Sequence, residues 1–211
     1  MHELIERELF EALQYARSID EEKGKRILIQ FEIDQPMFAS TLFNVFPSVI
    51  DNQSSEEKYQ NLAQHFADLC FDVLCVYQKA FGKMPRTFKD DSTWMESQAM
   101  LLDKELAPLL TSSHVSEKVA KKMREDFFKP KDGEFIQTGL VEFLNMAVDE
   151  FAKDSGDDYH DSMLDLTKTM LFVVVRMFNN LYTPLATSVA ATTSIPVIKP
   201  VANAVAAPTV K

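Results

Sequence analysis

The sequence predicts a mainly α, irregular helical domain of six to seven helices, and three observations carry the prediction. Only 5 of 211 residues are glycine, against many Leu, Glu, Lys, Ala and Met, a balance that favours helix over a glycine-punctuated β fold. Apolar residues recur at three- and four-residue spacing along most segments. Helix-start signatures, Ser54-Ser55-Glu56-Glu57 and Thr93-Trp94-Met95-Glu96, stand immediately before such segments. With 46% apolar residues, including 16 Phe and 10 Met, the chain has ample material for a core. Its length fits one domain with an appendage: an acidic helical domain over 1–182 and a flexible Ala/Val/Pro/Thr-rich tail over 183–211.

Residues 3–19 read as an amphipathic helix with Ile5, Leu9, Ala12, Leu13, Ala16 and Ile19 on one face, ended by Asp20-Glu21-Glu22-Lys23-Gly24. Over 26–33 a period of two competes: Ile27, Ile29, Phe31 and Ile33 alternate with Arg26, Leu28, Gln30 and Glu32. That pattern favours a small β element. Asp34 and Pro36 then open a short helix that stops at Pro47. A long helix runs from about 57 to Phe81 and closes at Gly82. Its middle, Phe66 to Tyr77, is apolar nearly all round and so belongs at the centre of the fold.

Further helices are expected after Thr93 and around Val115–Phe127. Lys129-Pro130-Lys131-Asp132-Gly133 reads as a turn that closes a small hairpin if Pro130 permits. Val141, Leu144, Val148 and Phe151 mark the next helix. Asp154-Ser155-Gly156-Asp157 separates it from the last, about 158–182. From Thr183 onward four prolines punctuate a tract without a single acid, which blocks a continuous helix.

Charge is divided unevenly. Of 22 basic residues two, Lys199 and Lys211, lie in the tail, whereas all 32 acids lie in the body, leaving it at −12. Such a body repels phosphate backbones and anionic lipid heads, so neither nucleic acid nor a membrane surface is an expected partner. A basic or apolar segment of another protein is the natural one. The basic group Lys118, Lys121, Lys122, Arg124, Lys129 and Lys131 reads as a solvated helix face or a local patch for an acidic segment. The N-terminus lacks the basic and apolar regions of a secretory signal, and no stretch approaches the about 20 apolar residues that span a bilayer. Cys70 and Cys75 point roughly 140° apart on a helix, so they read as buried free thiols of a cytoplasmic protein.

Enzyme signatures fail one by one. There is no nucleophile elbow, phosphate-cradling loop or dinucleotide fingerprint. His160-Asp161 sits among acids that suit a helix N-terminus, and Asp154–Asp158 lacks the spacing of a calcium loop. His65, Asp68 and Asp72, at i, i+3 and i+7, form the best metal-like set and support the alternative of a metal-dependent enzyme. The same stripe continues through Asn61 and Lys79, as a solvated face does.

The expectation is therefore a non-enzymatic, cofactor-free adaptor or chaperone-like protein, of the kind that serves secretion or assembly. It would bind a partner segment through an apolar Met/Phe-rich groove. Met170, Val174, Met177 and Phe178 on the last helix, with Ile195, Val197 and Ile198 in the tail, are the candidate partner-binding residues. A structural subunit of a larger complex, a hetero-oligomer, is the remaining alternative.

Overall fold

The computed structural model describes residues 1–52, 56–85, 94–100 and 136–183, and among them every regular element is helical. In chain order these are α1 (Glu6–Arg17), α2 (Glu21–Asp34), α3 (Pro36–Ser40), a π-helical turn (Thr41–Val45) and α4 (Phe46–Asp51). They are followed by α5 (Glu57–Phe81), a helical segment at 94–100, α6 (Thr138–Ser155) and α7 (Asp161–Tyr182). The hairpin expected at 129–133, the helix around 115–127 and the tail from 184 lie outside the described residues.

The β element expected over 26–33 is a helix. The run before it decides the outcome: Asp20 does not end α1 but caps α2, its Oδ1 accepting the Lys23 N–H at 2.7 Å. Glu21–Lys25 and Glu22–Arg26 then pair at i, i+4 along the exposed side. Of the four alternating residues only Phe31 is buried, while Ile29 and Ile33 are 55% and 67% exposed. The inward face is Gly24, Leu28 and Phe31, spaced for a helix, with Ile27 beside it half-buried.

A second departure is at Pro47, which does not stop its helix. The π-helical turn shifts the hydrogen-bond register, with the Phe46 N–H reaching back to the Thr41 carbonyl, so α4 starts afresh at Phe46. Pro47 then sits in a first turn, where its missing N–H costs nothing.

Helix α5 is the axis, packed against α1, α4, α6 and α7. It ends where the sequence places its end, at Gly82 with φ +86°, a conformation natural to glycine. Around its C-terminal half lies an aromatic core. The Phe178 ring of α7 is 4.9 Å from Phe38, 5.1 Å from Tyr77 and 6.1 Å from Phe31, and Trp94 closes on Phe38 at 5.6 Å. The buried Tyr77 hydroxyl donates to Asn179 Oδ1 at 2.5 Å, so this core keeps its polar atom satisfied.

Long-range ties close the fold. Gln137, buried ahead of α6, accepts the Leu4 N–H at 2.8 Å and donates to the His2 carbonyl at 2.9 Å, clamping the irregular N-terminal residues to the start of α6. Asn180 donates to Gln98 at 2.7 Å, and Gln35 to the Pro85 carbonyl at 2.7 Å.

Candidate functional site: an acid-rimmed groove between α2 and α5

The expected apolar groove on the last helix is not a surface. Met170, Val174, Met177 and Phe178 are all buried, Val174 and Phe178 completely. Helix α7 packs on α4, α5 and α6, so its nearly all-round apolar character serves a core element with neighbours on several sides. The tail candidates Ile195, Val197 and Ile198 lie outside the described residues.

The metal-like set also comes apart. His65 turns toward α6, where its ring lies parallel to Phe151 at 4.2 Å between centroids, and its Nε2–H donates to the Ala147 carbonyl at 3.3 Å. Burial lowers its pKa from the ordinary value, outweighing that hydrogen bond and nearby Asp68. The imidazole is thus a neutral packing group with one nitrogen already engaged. Asp68 accepts from Gln64 at 3.0 Å. Among the described residues no three His, Cys, Asp or Glu side chains stand where they could hold a metal ion. The enzyme alternative that rested on His65, Asp68 and Asp72 loses its ligand set.

What the fold does bring together is a groove of about 470 Å³ between the start of α2, the π-helical turn and the middle of α5. Ile19, Leu28, Phe43 and Phe71 supply an apolar floor, and Asp20, Glu21, Asp68 and Asp72 stand around it with one base, Lys25. Gly24 faces the same floor: a Cβ there would make ordinary van der Waals contact with the Phe71 ring at 3.6 Å and with Ile19 at 3.7 Å. Two of the four acids have partners in α2 itself, Asp20 as its cap and Glu21 with Lys25 at 2.5 Å. The other two project from consecutive turns of α5.

Asp72 is the unusual member. It is half-buried, and it makes no hydrogen bond or ion pair among the described residues. Burial pushes its pKa up to about 6; Arg17 opposes the shift and the like charge of Asp68 adds to it. Its buried neighbour on the next turn, the Cys75 thiol, is pushed up to about 12 by burial and by Asp72. Cys70 and Cys75 are free, buried and held as thiols, as their apolar neighbours imply. A carboxylate kept short of partners at the mouth of an apolar groove is a destabilising arrangement that a bound cation relieves.

The sequence hid this site because its floor comes from three separate elements and the link before α2. One signal was present: an aspartate inside the apolar run Leu69–Val76. The basic cluster at 118–131 lies outside the described residues. Among the described helices none is long and apolar enough to cross a membrane. Comparison with family models, curated proteins and solved structures finds no match to this chain.

Proposed function

We propose that this protein is a non-enzymatic adaptor that holds a basic, apolar segment of another protein in the α2–α5 groove. The observation that carries the reading is Asp72, a half-buried carboxylate with no hydrogen bond or ion pair among the described residues, set beside Asp68 above an apolar floor. An aliphatic side chain on that floor gains from leaving water, and a neighbouring lysine or arginine supplies the charge the two aspartates lack. The body charge of −12 steers such a segment inward and turns away nucleic acid and anionic lipid. An assembly or secretion chaperone in a reducing, cytoplasmic setting fits this chemistry.

Peptides that alternate lysine with isoleucine or valine, assayed by fluorescence anisotropy, test the reading. Binding is expected at moderate salt, weakening as ionic strength rises, and falling at least tenfold in Asp68→Asn plus Asp72→Asn. Matched glutamate peptides are expected not to bind. Equal binding by the double variant would refute the assignment of the groove.

A second reading, a structural subunit of a larger assembly, draws support from Ile29 and Ile33. These lie one turn apart on α2 and are the kind of exposed aliphatic pair that another chain covers.

A further inference from the structure

We infer that the α2–α5 groove is one half of a longer trough, and that its occupant is an extended segment of about seven residues with a cation near each end, the second held by Asp51. The inference rests on the α2–α5 groove binding basic, apolar segments, as proposed above. It adds the length, conformation and charge spacing of the segment.

Helix α5 provides one bank from end to end. Gln60, Ala63, Ala67 and Phe71 follow one another at spacings of three, four and four, so they share one face of the helix. Phe71 and Ala67 belong to the groove already described, and Ala67, Ala63 and Gln60 continue into a second hollow of about 420 Å³ against α4. Phe43 and Gln64 line both hollows, which therefore meet there. The opposite bank passes from the start of α2 through the π-helical turn to Pro47, Ser48 and Asp51 of α4. From Gln60 to Asp72 is twelve steps along α5, about 18 Å at 1.5 Å per residue.

The charges are parted between the ends. At the α2 end, Asp20 caps α2 and Glu21 binds Lys25, the one base that lines the trough there. Asp68 and Asp72 are left with Arg17, which attracts Asp72 from α1 while its guanidinium lies 5.4 Å over the Phe143 ring. With Arg17 counted, the two aspartates ask for one more positive charge. At the α4 end, Asp51 is half-buried and makes no hydrogen bond or ion pair among the described residues, and no base lines that hollow. It asks for a second. Two separated cations suit this trough better than a run of them.

The stretch between the ends favours extended chain. Leu28 and Phe71 floor one hollow and Phe43, Ala63 and Ala67 the other. Asn44 and Gln60 stand on facing banks of the second, and their side-chain amides both donate and accept. A helical ligand satisfies its own peptide groups, whereas an extended one presents them to such amides. In an extended segment, positions one, three, five and seven lie on one side over about 20 Å. Lysines at one and seven then meet the two ends, and aliphatic residues at three and five meet the two floors.

Fluorescence anisotropy with three labelled, end-capped peptides and the full chain tests the inference. They are Lys-Ser-Ile-Ser-Ile-Ser-Lys, its charge isomer Lys-Lys-Ile-Ser-Ile-Ser-Ser, and the single-lysine Lys-Ser-Ile-Ser-Ile-Ser-Ser. The spaced peptide is expected to bind about fivefold tighter than either of the others, as one further half-buried ion pair allows. Asp51→Asn should bring it down to the affinity of the single-lysine peptide and leave that peptide unchanged. Lysines six apart on a helix point to different faces, so this preference also excludes a helical occupant. Equal binding of the spaced peptide and its isomer, or a spaced peptide indifferent to Asp51→Asn, overturns the inference. In that event, single-lysine binding that still depends on Asp68 and Asp72 leaves the proposed function standing. If none of the three peptides binds, or if Asp68→Asn plus Asp72→Asn changes nothing, both fall.

Discussion

Replacing Asp72 by asparagine should stabilise the protein at neutral pH and leave it unchanged in acid. The carboxyl is raised from the ordinary 3.8 to about 6. At 1.36 kcal/mol per pKa unit the full shift corresponds to about 3 kcal/mol, and partial exposure of the group reduces the expected effect to about 1–2 kcal/mol. The sign follows from proton binding. The folded state holds this proton more tightly than the unfolded chain, so the group costs nothing while both states are protonated. Its cost grows as pH climbs from about 4 through about 6, and is fully present above that. Asparagine keeps the shape and removes the charge, along with its repulsion from Asp68 and its attraction to Arg17. Urea unfolding at pH 4 and pH 7.5 is the assay. The midpoint of Asp72→Asn should match wild type at the first pH and lie higher at the second, with an unchanged slope. A variant less stable than wild type at pH 7.5 would mean that the carboxylate is paired in the folded protein, and the reasoning about the groove would fall. A gain in stability together with lost peptide binding is the trade expected where a residue serves function at the expense of the fold.

Other consequences are as direct. Phe178→Ala removes the ring shared by Phe38, Tyr77 and Phe31, and should cost about 3–5 kcal/mol in chemical unfolding, as for a core aromatic. A near-neutral result would return Phe178 to the surface role its sequence suggested. Gln137→Leu strands the Leu4 N–H and the His2 carbonyl and should cost about 1–3 kcal/mol, with faster proteolysis of the first residues. His65 is held neutral, so part of the stability should be lost as pH falls below the ordinary histidine range of 6.5. His65→Gln should flatten that segment of the stability–pH curve. If Ile29 and Ile33 are covered by another chain, light scattering of Ile29→Glu plus Ile33→Glu should show a smaller particle than wild type.

Most of the helical plan was legible because it is written in local chemistry. The α5 boundaries followed from an apolar period and from Gly82, and the separation of α6 from α7 from Gly156, which takes φ +69°. Where local rules competed, the structure chose by a neighbour. Residues 26–33 show a period of two in sequence, yet the Asp20 cap and the ion pairs of the first α2 turns commit them to helix. Pro47 reads as a stop because a sequence does not announce a π-helical turn. The partner-binding residues went astray for a related reason: an apolar stripe on α7 looks the same whether it faces a ligand or three helices. His65, Asp68 and Asp72 share a stripe in sequence, but Phe151 and the Ala147 carbonyl hold His65 toward α6. The groove itself unites Ile19, Phe43 and Phe71 across chain separations that no spacing rule records.

The most direct test of the groove as a site for a cationic segment is proton release on binding. Calorimetric titration of a lysine–isoleucine peptide at pH 6, in two buffers of different ionisation heat, counts protons exchanged with solvent. A cation beside Asp72 lowers its pKa from about 6, so a fraction of a proton should leave per peptide bound in the wild type and none in Asp72→Asn. Binding with no proton release, or with release that persists in the asparagine variant, would place the cation somewhere other than this groove.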